Sequence, residues 1–117
     1  MYQGTTPVYF LTIPDYDLSG DKVFVTLSTL DYKLTLPNDR LDVSYGQNED
    51  ESYSTLIAFR LSQAETLKFK AYKKVDVQVR GINFENQAVI TEIKQIDVKP
   101  ALYKKVIEYQ SGEEVQP

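Results

Sequence analysis

The sequence contains no histidine, no cysteine and no tryptophan. Without histidine, the chain has no imidazole to move protons near neutral pH or to bind a metal. Without cysteine, it can form no disulfide, no thiolate nucleophile and no thiolate zinc site. These absences exclude most of the common catalytic and metal-binding chemistries. They favour a domain that holds a shape and makes contacts, and we expect it not to be an enzyme.

Long apolar runs and basic segments are also missing. No stretch approaches the roughly 20 apolar residues of a transmembrane helix, and no basic segment followed by an apolar one opens the chain. We therefore expect no membrane partner and no signal peptide. With 13 basic and 17 acidic residues the net charge is −4, whereas nucleic-acid binders usually show a basic face. We expect no nucleic-acid partner, and synthesis in the cytoplasm, which the absence of cysteine fits because disulfides are rare there.

The length of 117 residues fits one domain. The hydrophobic fraction of 42% is sufficient for a single modest core. Pro100 ends the last strand pattern, and the residues after it turn polar. We predict a β-domain over residues 1–99. Residues 100–117 are predicted to be a C-terminal extension, for which docking on a neighbour and disorder are both left open.

Short alternating patterns run through most of the sequence. Val23, Val25 and Leu27 share one parity and are predicted to face the core, as are the valines of residues 75–79. Turn residues separate the patterns. Seven strands are predicted, at residues 9–13, 23–28, 32–36, 41–45, 54–61, 75–80 and 88–98. In the last of them neither parity is purely apolar, which indicates a bulge.

Residues 62–65, Ser-Gln-Ala-Glu, match a helix capping box and predict one short helical turn near residues 62–68. Seven short strands with turns between them are typical of an immunoglobulin-like β-sandwich of antiparallel strands. We predict this all-β fold, with a small β-barrel as the alternative. The Cys…Trp…Cys pattern of antibody domains is absent.

One stretch resembles a metal-binding loop. Asp15, Asp17, Ser19 and Gly20 match the front half of an EF-hand loop. Position 12 of that loop should be glutamate, but here it is Thr26 inside a predicted strand. We predict no metal site and no cofactor, and keep as the alternative a low-affinity calcium site made by Asp15, Asp17 and Asp21. No nucleotide-binding or nucleophile motif occurs, so no catalytic residue is predicted.

Tyrosine is abundant, with nine residues in the chain. Tyrosine combines a large apolar ring with a polar tip, and it is enriched in strands and at interfaces. Core packing, a protein–protein interface and a sugar-stacking platform all remain open as explanations.

The chain opens with Gly-Thr-Thr-Pro at residues 4–7 and Phe-Leu-Thr-Ile-Pro at residues 10–14. Residues 61–69 read LSQAETLKF, and residues 75–80 read VDVQVR. In this order and spacing, the stretches resemble a family of small proteins encoded in phage and prophage structural gene clusters of Gram-positive bacteria. The polar segment at residues 47–52 and the longer C-terminal segment depart from that family's pattern.

The resemblance implies a non-enzymatic structural or accessory component of a tailed bacteriophage virion, in the head, neck or tail. Its partners would be other virion proteins, with several copies on a symmetric assembly or a homo-oligomer. Its location would be the virion, after synthesis in the host cytoplasm. The alternative is a carbohydrate- or host-surface-binding module. The predicted partner-binding residues lie in the two terminal segments: Thr5, Thr6, Pro7, Leu102, Tyr103 and Val106.

Overall fold

The computed structural model describes residues 1–91 and 93–109. These residues form eight short strands, one α-helical turn and one 3-10 turn. The strands are β1 (Val8–Pro14), β2 (Lys22–Ser28), β3 (Lys33–Leu36), β4 (Leu41–Gln47), β5 (Tyr53–Arg60), β6 (Lys74–Ile82), β7 (Ala88–Ile90) and β8 (Lys94–Asp97). The helix α1 spans Gln63–Lys68, and the 3-10 turn spans Asn38–Arg40.

The strands divide into two antiparallel sheets. The first has the order β1-β5-β4, and the second has the order β3-β2-β6, with both β7 and β8 on the far side of β6. The predicted sandwich is confirmed, and the described strands close no barrel. In an immunoglobulin domain the second strand shares a sheet with the first. Here β2 lies in the other sheet, between β3 and β6.

The core lies between the sheets and is built from the predicted alternation. Val23, Val25 and Leu27 of β2 are fully buried. The valines at positions 75, 77 and 79, on one face of β6, are buried as well. Ile57 and Phe59 meet them from β5 in the first sheet. The strand β5 is central in the first sheet, since it pairs with strands on both sides.

The last predicted strand is split by one extra residue. Arg80 pairs with Ile90 and Val77 pairs with Lys94, so three steps along β6 correspond to four steps along its partner. Thr91 fills the gap, because its Oγ1 accepts a hydrogen bond from the Val79 amide at 3.0 Å. The predicted bulge is confirmed, and it divides the strand into β7 and β8.

The helix α1 connects the two sheets after β5. Its predicted capping box is present: the Ser62 side chain accepts a bond from the Glu65 amide, and the Glu65 side chain accepts one from the Ser62 amide. The helix ends before Phe69, whose side chain is fully buried. The capping box therefore sets the start of α1 directly after β5, and the short helix places Phe69 in the core.

Glu65 also binds Arg40, which follows β3 along the chain. The Arg40 guanidinium donates to both carboxylate oxygens, at 3.1 and 2.8 Å. It donates a further bond to the Arg60 carbonyl oxygen. These bonds connect the 3-10 turn, the end of β5 and α1. The hydrogen bonds from Arg40 lower the pKa of Glu65, against a smaller opposing effect of burial.

Replacing Glu65 with glutamine should lower the free energy of unfolding by about 0.5–1 kcal/mol at pH 7, because the ion pair is lost and the capping box is kept. The lowered pKa means that the unfolded chain binds this proton at a higher pH than the folded chain does. The stabilisation is therefore complete above the unfolded pKa of about 4.3 and is lost as the pH falls through the folded pKa.

Urea unfolding of the wild type and Glu65→Gln between pH 7 and about pH 2.5 measures this effect. The difference between the two proteins should stay constant from pH 7 to about pH 5 and shrink as the pH falls further. Asp97→Asn is the control, because Asp97 forms an exposed pair with Lys74 at 3.6 Å, and should change stability little at any pH. A difference for Glu65→Gln that is constant across the range would contradict the assigned ion-pair contribution.

Candidate interaction surfaces

The two terminal segments meet at one end of the sandwich, and Gln3 joins them. Its side chain is buried. Nε2 donates to the Phe69 carbonyl oxygen at 2.6 Å, while Oε1 accepts from the Ala101 amide at 3.2 Å and from the Lys104 ammonium. The backbone amide of Gln3 donates to the carbonyl oxygen of Lys99. The lead-in and the C-terminal segment are thus held to each other and to the core.

The helix α1 supports both segments. Thr66 Oγ1 accepts a bond from the Gly4 amide and donates to the Thr5 carbonyl oxygen, each at 2.9 Å. Gln63 binds the backbone amide and carbonyl of Ile107, at 2.8 and 2.9 Å. Gly4 has a φ of +77°, a left-handed conformation that explains why glycine stands at this turn. The sequence signals did not reveal this role of the helix.

The predicted contact residues lie in the two terminal segments that this helix supports. Thr5 and Thr6 are exposed, and Pro7 is partly buried, with its carbonyl accepting a bond from the Leu61 amide. The C-terminal segment exposes apolar side chains. Together these residues form what we call the terminal surface: Thr5, Thr6, Leu102, Tyr103, Val106 and Ile107. Ile107 was not predicted, although it continues the apolar residues of a segment that is otherwise polar.

The acidic residues considered for calcium serve a local turn. Asp17 Oδ1 accepts bonds from both the amide and the hydroxyl of Ser19, at 2.9 and 2.6 Å. These bonds lower the pKa of Asp17. Among the described residues, no three histidine, cysteine, aspartate or glutamate side chains are grouped so that they could hold a metal ion. Asp17 therefore stabilises the turn between β1 and β2, in which Asp15 and Asp21 also lie.

The tyrosines divide between the core and the surface. Tyr9 packs against Phe59 with ring centroids 5.7 Å apart, and Tyr32 meets Phe69 edge-on at 5.0 Å. Tyr45 and Tyr53 stack on each other at 5.5 Å with 40% and 46% of their surfaces exposed. Core packing explains the first two, whereas the second two form a stacked pair that could offer ring faces to a ligand.

An apolar groove opens along the side of the sandwich where β1 faces β7 and β8. Its volume is about 390 Å³. Leu11 and Ile13 form one wall, and Val77, Val79 and Ile90 form the other. Lys94 and the bulge at Thr91 form its rim. Sequence patterns did not predict the groove, because it depends on which strands lie at the edges of the two sheets.

These observations define an all-β sandwich domain with an apolar surface at one end and an apolar groove along one side. Comparisons with protein-family models, curated proteins and solved structures find no match to the chain. None of the helices in the described residues is long and apolar enough to cross a bilayer.

Proposed function

We propose that this protein is a non-enzymatic structural or accessory component of a tailed bacteriophage particle, and that it acts through protein–protein contacts at the terminal surface. The observation that carries the proposal is the exposure of Leu102, Tyr103, Val106 and Ile107 along one short segment. Clustered exposed apolar side chains mark interaction sites on soluble proteins. The resemblance of residues 4–98 to phage structural-cluster proteins supports the virion as the location.

The terminal surface is ordered by polar contacts beneath it. Gln3 and Gln63 hold the backbone of the C-terminal segment against the lead-in and α1. A segment held in place before binding loses less conformational freedom when a partner arrives. Several copies on a symmetric shell, connector or tail would further multiply weak individual contacts. The partners would accordingly be other virion proteins.

The proposal predicts that the protein is a stoichiometric component of purified particles of the phage that encodes it. A full-length Leu102→Ser/Val106→Ser variant should remain folded, because both side chains are exposed, but should be reduced at least about tenfold in the particles. Quantitative mass spectrometry measures its amount. Phe24→Ser is the matched control, an exposed apolar residue on the outer face of the second sheet, and should be incorporated normally.

Absence of the wild-type protein from purified particles would contradict the virion assignment. Equal incorporation of the terminal-surface variant and the wild type would contradict the assigned surface. Circular dichroism of each variant confirms that any loss of incorporation does not come from unfolding.

The second candidate function is binding of a carbohydrate or host surface, which the exposed Tyr45 and Tyr53 favour. Stacking on sugar rings would use the free faces of this pair, and the neighbouring Asn48 and Asp50 could donate and accept hydrogen bonds. A glycan array separates the two functions, because a signal that disappears in Tyr53→Ala would support sugar binding over a purely structural role.

A further inference from the structure

The four edges of the two sheets differ in how they are protected against pairing. The strand β3 is short and carries Lys33, β7 and β8 are separated by a bulge, and β4 contains Asp42 and Gly46. Short strands, charges and bulges all discourage edge-to-edge pairing. In contrast, β1 has seven residues, no charged side chain and no glycine. Its one proline, Pro14, is its last residue, so the six residues before it form an edge without such protection.

The free backbone groups of β1 follow from its register. The Asp15 amide donates to the Tyr53 carbonyl oxygen at 3.0 Å, and the Pro7 carbonyl accepts from Leu61 at 3.1 Å. The odd-numbered residues of β1 therefore form their backbone hydrogen bonds with β5. Because hydrogen bonds alternate along an antiparallel pair, the amides and carbonyls of Val8, Phe10 and Thr12 point away from the sheet. No described strand pairs with that side of β1.

We propose that β1 pairs with β1 of a second copy of this chain, antiparallel and about a twofold axis at Phe10. In this register Phe10 lies opposite Phe10 of the partner subunit, and Val8 lies opposite Thr12 of the partner subunit. Each of these residues then exchanges both backbone hydrogen bonds with its counterpart. The side chain of Phe10 is 66% exposed, and the pairing places the two rings side by side on the outer face.

The charge distribution favours a second copy in the antiparallel orientation. Arg60 pairs with Val8 at the beginning of β1 and forms no ion pair with the described residues, whereas the neighbouring Arg40 is paired with Glu65. At the other end lie Asp15 and the acidic loop at residues 49–51. Antiparallel pairing brings Arg60 of each copy toward the acidic end of the other and keeps the two acidic loops apart, whereas parallel pairing would place those loops side by side.

The apolar groove supplies a second contribution. Its opening lies along the unpaired side of β1, where Leu11 and Ile13 form one wall. Antiparallel pairing brings the grooves of the two copies together, so each covers apolar surface of the other. We expect a single strand pair and this contact to bury less than the roughly 1,200–2,000 Å² of a standard interface. We therefore expect a weak dimer with a dissociation constant of about 0.1–1 mM.

Sedimentation equilibrium of the full-length chain from about 10 µM to 2 mM tests the dimer. The wild type should change from monomer to dimer across this range. Phe10→Lys and Phe10→Glu should each weaken association at least tenfold, because like charges meet at the twofold axis. An equimolar mixture of the two variants should restore association. Phe24→Lys, an exposed phenylalanine on the other sheet, should associate like the wild type.

Hydrogen exchange identifies the strand involved. The amides of Val8, Phe10 and Thr12 should become protected at high concentration in the wild type and remain unprotected in Phe10→Lys. A wild type that is monomeric at 2 mM, or association that is weakened equally by Phe10→Lys and Phe24→Lys, would overturn the inference.

The inference goes beyond the proposed function, since it concerns a different surface. Leu102→Ser/Val106→Ser should leave the dimer intact and affect only incorporation into particles. Association that is lost in this variant and retained in Phe10→Lys would overturn pairing through β1 without contradicting the virion assignment. Conversely, a dimer formed by a protein that is absent from purified particles would support the inference and contradict the proposed function.

Discussion

Replacing Phe69 with alanine is expected to lower the free energy of unfolding by about 3–5 kcal/mol, the usual cost of removing a buried aromatic ring. The side chain is fully buried, and its ring meets Tyr32 edge-on at 5.0 Å. The Phe69 carbonyl also accepts the bond from Gln3 that holds the lead-in. Domains of this size are usually stable by about 5–15 kcal/mol, so this loss removes a large part of the total.

Urea unfolding followed by circular dichroism measures the loss as a lower midpoint at an unchanged slope. The control is Phe84→Ala. Phe84 is 93% exposed in the turn between β6 and β7, and its replacement should change stability by less than about 0.5 kcal/mol. If the two variants were equally stable, Phe69 would not occupy the core position assigned to it.

The second large effect is expected at Thr55, on the inner face of β5. Its fully buried hydroxyl accepts a bond from the Leu18 amide at 3.0 Å and donates to the Tyr16 carbonyl oxygen. These bonds hold the turn between β1 and β2, from which Leu18 inserts into the core. Thr55→Val keeps the shape of the side chain and removes both bonds. The two unpaired backbone groups should cost about 2–4 kcal/mol together.

Thr35→Val is the matched control, because the Thr35 hydroxyl contacts only the Thr26 hydroxyl at the surface. Its effect should stay within about 0.5 kcal/mol. Hydrogen exchange adds a local test, since the Leu18 amide should lose protection in Thr55→Val well before global unfolding. Unchanged stability together with unchanged protection of Leu18 would show that the Thr55 hydroxyl does not hold this turn.

Local patterns were sufficient to predict most of the elements. Period-two alternation identified the buried face of β2 and of β6, because successive side chains in a strand point to opposite faces. Ser62 and Glu65 predicted the start of α1, since both capping bonds form within four consecutive residues. The bulge at Thr91 was detectable because neither parity of that strand is purely apolar.

The candidate surfaces were only partly predictable. The exposed apolar residues Leu102, Tyr103 and Val106 stand out in a polar segment, and so the sequence predicted contacts there. The roles of Gln3 and Gln63 depend on partners that are 98 and 44 residues away along the chain. No local signal distinguishes such a glutamine from one at the surface, because its partners are backbone groups that every residue has.

By itself, the sequence determined that the protein is an all-β domain without histidine or cysteine chemistry, and it determined which strand faces are apolar. Only the tertiary structure decided that β2 pairs with β6 in the second sheet and that β1 is left at an edge. The physical reason is that alternation specifies which side of a strand is buried but carries no information about its neighbour. The groove and the free edge of β1 arise from that choice of neighbours.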